Sequence, residues 1–163
     1  MIFVCVGSRD YQFNRLLQAL DELVEAGRIT DEIVAQTGSS EYEPKHYTWY
    51  RYLDQDVFRD YQQKADLIIS HGGTGALIGA LKLGKQMIAV PRLAQYGEHI
   101  DDHQTQVCGA LTAEGYLRQV LDMKELGAVI EQCRQDPIVK KYDKPSNVLP
   151  LIQAHLEIGR AHV

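Results

Sequence analysis

The sequence predicts an α/β fold, a Rossmann-like parallel sheet with helices on both faces. Three observations predict it. Short, continuous apolar runs recur at Ile2-Phe3-Val4-Cys5-Val6, Ile33-Val34-Ala35, Leu67-Ile68-Ile69 and Met87-Ile88-Ala89-Val90, as in strands buried on both faces. Segments with helical periodicity separate them, and that alternation implies parallel βαβ units. Polar or glycine-rich segments follow the runs at Gly7-Ser8-Arg9, His71 to Gly75 and Arg92 to Gln104. Parallel sheets bind ligands there, beyond the carboxyl ends of the strands.

Each element has its own signal. Residues 2–6 are a buried strand stopped at Gly7-Ser8. Phe13, Leu16, Leu17, Leu20, Leu23 and Val24 then recur at helical spacing, and Gly27 suits the C-terminal end. Ile33 to Thr37 is the next strand, ended by Gly38-Ser39-Ser40. Residues 41–53 are rich in aromatics (Tyr42, Tyr47, Trp49, Tyr50, Tyr52) and read as a loop with a short strand. A helix over 55–65 leads into a strand over 66–70. After the glycine turn come a helix over 75–83, closed by Gly84, and a strand over 87–90, ended by Pro91. The spacing predicts a helix over about 100–113, a short strand at Tyr116-Leu117, and a helix around Leu126, Val129 and Ile130. Residues 134–146 carry two prolines and read as irregular. A last helix is predicted over about 147–159, within a single domain spanning 1–163.

Composition narrows the function. At 163 residues, with 45% apolar and 24% charged side chains, the chain suits an ordinary soluble domain with a real core. A net charge of −5 argues against a general nucleic-acid binder, which needs a basic face. No apolar stretch approaches the roughly 20 residues that span a bilayer, and no secretory signal is visible. Cys5, Cys108 and Cys133 are widely spaced and form no CxxC pair, a usage that fits buried thiols in a reducing cytoplasm.

The segment Ser70-His71-Gly72-Gly73-Thr74-Gly75 carries the chemistry. A glycine-rich turn opening a helix offers backbone N–H groups and a favourable dipole to an anion such as phosphate. It lacks the GxGxxG spacing of dinucleotide sites and the Gly-Lys-Ser/Thr of a Walker loop. A tight structural turn, with Thr74 as N-cap, is the plain alternative. His71 is either a structural imidazole or a donor to a phosphate or sugar oxygen. His99 and His103, four apart beside Glu98 and Asp102, could share a helix face. HExxH is absent and no third ligand is evident, so contact with a sugar is favoured over a metal. Gln104 offers a donor and an acceptor to hydroxyls. Asp101 and Asp102 alternatively serve a helix N-terminus. Tyr52-Leu53 is the aromatic segment favoured for the ligand; the other aromatics suit packing or a partner. Arg9 could pair with phosphate, and Asp10 is a base or a helix cap.

These residues resemble the C-terminal, donor-binding half of GT-B glycosyltransferases, of the family 28 type. The carrying segments are Ala65 to Gly75, Ala80-Leu81-Lys82-Leu83-Gly84-Lys85, and Val90-Pro91-Arg92 through Tyr96-Gly97-Glu98-His99-Ile100-Asp101-Asp102-His103-Gln104. They resemble single-domain members in particular: the cytosolic subunit of the dolichol-linked N-acetylglucosaminyltransferase, and bacterial capsule and exopolysaccharide subunits of the β-1,4-galactosyltransferase type. The last segment resembles the bacterial subunits most. The resemblance implies a UDP-sugar donor, with Gly7, Ser8, Gly72, Gly73, Thr74 and Gly75 around the diphosphate, Tyr52 and Leu53 against uracil, and His103 and Gln104 toward the sugar. Arg9, His71, Arg92 and His99 complete the expected binding set, and His71 and Asp10 are the candidates for catalysis. Many relatives carry a ribose-binding glutamate in the helix after the glycine turn, where this chain has Gly79. The implied reaction is inverting transfer of a hexose to a lipid-linked acceptor, with no cofactor or metal. The acceptor half and the catalytic base are then expected from a membrane-associated partner subunit, which would hold this cytoplasmic chain at the inner face of the membrane. A non-catalytic nucleotide-sugar-binding scaffold is the alternative.

Overall fold

The structure is a computed structural model, and it describes residues 1–7 and 10–143. The elements in chain order are β1 (Ile2–Cys5), α1 (Asn14–Glu25), β2 (Ile33–Gln36), β3 (Thr48–Tyr50), α2 (Gln55–Lys64), β4 (Leu67–His71), α3 (Thr74–Lys82), β5 (Gln86–Val90), α4 (Gln104–Ala113), β6 (Arg118–Gln119) and α5 (Leu126–Gln135). Short 3₁₀ turns cover Ala94–Tyr96 and Met123–Glu125. The helix expected over 147–159 lies outside the described residues.

One six-stranded sheet has the order β3-β2-β1-β4-β5-β6, and every neighbouring pair is parallel. The chain steps outward from β1 to β3, then returns to β4 beside β1 and steps outward the other way. The order therefore reverses between β1 and β4, and the crevice beyond their carboxyl ends is the topological switch point. Gly7 follows β1 and the glycine turn follows β4, so both open into that crevice.

Alternate strand residues build two cores. Ile2, Val4, Ile33, Ala35, Leu67, Ile69, Ile88 and Val90 pack with Phe13, Leu16, Leu17 and Leu20 near and in α1, and with Leu126 and Ile130 of α5. Phe3, Cys5, Val34, Ile68, Met87 and Ala89 pack with Leu77, Ile78 and Leu81 of α3 and Val107, Cys108 and Leu111 of α4, flanked by Phe58 and Tyr61 of α2. Both faces are covered, which is why the strand sequences run continuously apolar. Each fully buried aliphatic or aromatic side chain contributes roughly 1.5–3 kcal/mol relative to leaving it exposed.

Several boundaries differ from the sequence expectation. The helix expected from about 100 begins at Gln104. Residues 98–103 form turns instead, in which the carboxylates take local backbone amides. Asp101 Oδ1 accepts from the His103 N–H at 2.8 Å, and Asp102 Oδ1 from the Ala94 N–H at 2.8 Å. The short strand falls at Arg118-Gln119, two residues beyond Tyr116-Leu117, which are buried in the second core. Helix α5 runs on to Gln135, into the segment expected to be irregular. The N-cap of α3 is Gly73 rather than Thr74, and α1 is capped at Phe13, so Asp10 is not a helix cap.

Candidate functional site

The crevice at the switch point is organised around the N-terminus of α3. Its first i→i−4 bond runs from the Leu77 N–H to the Gly73 carbonyl at 3.0 Å. The amides of Thr74, Gly75 and Ala76 therefore have no intrahelical acceptor. The Gly73 N–H donates to His71 Nδ1 at 3.2 Å, and the Gly72 N–H donates to Gln104 Oε1 at 3.0 Å. The same Oε1 accepts from the Arg92 N–H at 2.9 Å, while Gln104 Nε2 lies 3.3 Å from His71 Nδ1. One carboxamide on α4 thus pins the ends of β4 and β5 together.

The glycines fall into two groups. A Cβ on Gly73 would lie 2.3 Å from His71 Cε1, and one on Gly72 would lie 2.7 Å from Gln104 Cβ and 2.9 Å from Cys108 Sγ. These two are small because other side chains occupy the space. Gly75 and Gly79 are the opposite case, since a Cβ on either would meet nothing within 4 Å. Gly7 has φ +83 and lies against His71 Nε2, at 2.9 Å from an ideal Cβ. Gln36 holds its backbone, accepting from the Gly7 N–H at 3.1 Å and donating to the Gly7 carbonyl at 3.0 Å. His71 is therefore clasped between Gly7 and Gly73.

A cavity opens on each side of the exposed amides. The larger, about 440 Å³, is lined by Tyr52, Leu53, Phe58, Gln62, Gly75 and Gly79, with Gly7 and Gln36 at its back. The smaller, about 180 Å³, is lined by His71 to Thr74, His99, His103, Gln104 and Val107. A further cavity, about 580 Å³, lies beside Gln86, where β5 starts. It is at the opposite end of the sheet, away from the glycine turn.

Ten of the expected binding residues line this groove: Gly7, Tyr52, Leu53, His71, Gly72, Gly73, Thr74, Gly75, His99 and His103. Gln104 lines it too, but its Oε1 is already committed to two backbone amides. Arg92 lies beneath the groove. It is 1% exposed, and its guanidinium donates to the carbonyls of Tyr11 at 2.9 Å, Gln12 at 3.1 Å and Glu98 at 3.2 Å, and to that of Val6. Arg92 ties the loop after β1 to the loop after β5 and lines neither cavity of the groove. Asp10 is exposed and also lines neither. Ser8 and Arg9 lie outside the described residues.

His99 and His103 do not share a helix face, because α4 starts after them; the turn brings both to one cavity with His71. His99 Nδ1 lies 3.2 Å from Asp101 Oδ1, and its ring sits 5.4 Å from that of Tyr11. The His103 backbone N–H and, secondarily, His99 hold the Asp101 carboxyl below the usual range. No three His, Cys, Asp or Glu side chains among the described residues come together in a way that could hold a metal ion. The aromatic cluster divides between the packed interior and the groove. Tyr42 donates to Asp21 at 2.6 Å and Tyr47 to the Leu17 carbonyl at 2.8 Å, whereas Tyr52 is 57% exposed at the groove. Sequence reasoning missed Gln36 and Gln62. Nothing in a single sequence marks a glutamine as buried.

Residues 1–155 match the glycosyltransferase family 28 C-terminal domain. The chain belongs to that family. It is 35% identical over 63 residues to the UDP-N-acetylglucosamine transferase subunit ALG13 of Saccharomyces cerevisiae, a match covering 39% of this chain and 28% of that relative. Solved structures share the fold, among them the following two. The solution structure of ALG13 superposes with TM-score 0.58 at 16% identity, covering 96% of this chain and 94% of that one. MurG from Acinetobacter baumannii gives TM-score 0.59 at 16% identity, covering 94% of this chain and 49% of that one. In this family 28 domain the groove lies at the switch point of the sheet. No described helix is long and apolar enough to cross a membrane.

Proposed function

We propose that this chain binds the donor in an inverting glycosyltransferase that moves a hexose from a UDP-sugar to a lipid-linked acceptor. The observation that carries the reading is the pair of cavities flanking the open amides of Thr74, Gly75 and Ala76. A nucleotide-sugar has the same three parts in the same order. The nucleoside fits the apolar side at Leu53 and Phe58, the diphosphate meets the α3 N-terminus, and the sugar reaches the imidazoles and Gln104. In the transfer, an acceptor hydroxyl attacks the anomeric carbon, the bond to the β-phosphate oxygen breaks, and the hydroxyl proton passes to a base. The electron pair leaves on UDP, where the helix amides and dipole meet the growing charge. No cofactor enters this scheme.

The base and the acceptor surface are assigned to a membrane-associated partner subunit, because a donor site alone supplies neither proximity nor a positioned base. That partner would hold the chain at the cytoplasmic face of the membrane. The segment from Tyr96 to Gln104 supports a role in capsule or exopolysaccharide synthesis. Gly79 favours a second reading, a nucleotide-sugar-binding scaffold without turnover.

Calorimetric titration with UDP and UDP-hexoses, with EDTA present, tests the donor site. Saturable binding of UDP and of one preferred sugar is the expected result, and absence of any binding, alone and with the partner, would remove the proposal. Turnover by the complex separates the two readings. His103→Ala, which removes a side chain at the sugar end without touching the Gln104 bonds, should lower it at least tenfold in a transferase and leave it unchanged in a scaffold.

A further inference from the structure

The donor reading assigns no polar contact at the nucleoside end of the groove, where the exposed Gln55 and Arg59 and the buried Gln62 line the cavity. Helix α2 packs Phe58 and Tyr61 on Phe3, with ring centroids 5.1 and 5.6 Å apart. The one buried residue of α2 is polar: Gln62, 8% exposed. Its carboxamide forms no hydrogen bond with other described residues, and it lines the 440 Å³ cavity. The carboxamide atoms themselves stay open to the cavity: among the described residues only Gln119 Oε1 is both fully buried and without a partner.

Gly79 of α3 lines the same cavity. It lies one helical turn beyond Gly75, about 6 Å along the helix axis at 1.5 Å per residue. Space beside it is open, since an added Cβ would meet nothing within 4 Å. A ribose linked to a diphosphate on the Thr74–Ala76 amides falls at this depth, between the apolar patch at Leu53 and Phe58 and the helix N-terminus. We infer that Gln62 reads the ribose of the bound nucleotide, its Oε1 accepting from the 2′-hydroxyl and its Nε2 donating to the 3′-hydroxyl. A carboxamide offers a donor and an acceptor side by side, which is what a vicinal diol matches. The inference rests on the donor-site reading.

Calorimetric titration of the full chain with UDP and 2′-deoxy-UDP tests it. The native chain should bind 2′-deoxy-UDP about tenfold more weakly than UDP, the loss of one well-formed hydrogen bond. Gln62→Met should bind UDP at least tenfold more weakly and no longer separate the two nucleotides, because both ribose contacts are lost. Gln62→Glu keeps the length and an acceptor, and should keep the discrimination; it also covers the case in which the methionine variant does not fold. Equal binding of UDP and 2′-deoxy-UDP by the native chain overturns the inference, as does undiminished discrimination in Gln62→Met or its loss in Gln62→Glu. Failure of the native chain to bind UDP at all overturns the donor-site reading itself.

Discussion

His71 shows how little freedom the centre of the groove has. Its ring is clasped by Gly7 and Gly73 and bonded through Nδ1 to the Gly73 amide. Gly73→Ala would place a methyl 2.3 Å from the ring. Overpacking of this kind costs about 1–3 kcal/mol, and here it also displaces the imidazole from the groove. Chemical denaturation should show that loss, together with UDP binding at least tenfold weaker. Gly75→Ala has open space and helical backbone, so its stability should be unchanged or slightly raised. Equal destabilisation by the two alanines would contradict this division of the glycines. The cluster itself was plain in the sequence, but the reason for each glycine was not. Gly73 meets a neighbour two positions away, but Gly72 meets Gln104 from 32 positions away in the chain, and no local pattern encodes that.

The loop from Pro91 to His103 is held from beneath by charge. Glu98 is fully buried and paired with Arg15 of α1, Nε to Oε2 at 3.0 Å and Nη2 to Oε1 at 3.1 Å. Glu98 also accepts from the Leu93 N–H at 3.0 Å, and Arg15 donates to the Leu121 carbonyl at 2.6 Å. Removing one partner of such a pair strands the other, at a cost of about 3–5 kcal/mol. Arg15→Met should therefore destabilise the chain by about 3 kcal/mol in urea unfolding, and should speed amide exchange across residues 93–103. Exchange unchanged in that loop would show that the pair is not what holds it. Helix α4 illustrates a related limit of sequence reading. Its apolar period was legible from Val107 to Leu111, yet its start moved to Gln104, because Asp101 and Asp102 spend their carboxylates on local amides. Charges near a helix start read as capping signals whether they sit in the first turn or in the loop before it.

Sheet and helices together seal the three thiols. Cys5, Cys108 and Cys133 are free and buried. Burial pushes Cys5 up to about 11 and Cys108 up to about 12. At pH 8 the folded chain should leave both unreactive toward a thiol reagent, and full unfolding should release all three. The unfolded thiols titrate near 8.5. Protons are then held more tightly by the folded state, so stability should fall as pH rises above about 8.5; a urea midpoint flat from pH 8 to 10 would contradict this. The class of fold, the order of its elements and the glycine turn were set by local sequence alone. Apolar runs, helical period and glycine punctuation report burial and backbone conformation position by position. The tertiary structure decided the rest. It sent Arg92 inward to four carbonyls, gathered three histidines at one cavity, and left Gln62 buried beside an open wall at Gly79. Each depends on which distant segments meet across the switch point, and one chain read residue by residue carries no record of those meetings.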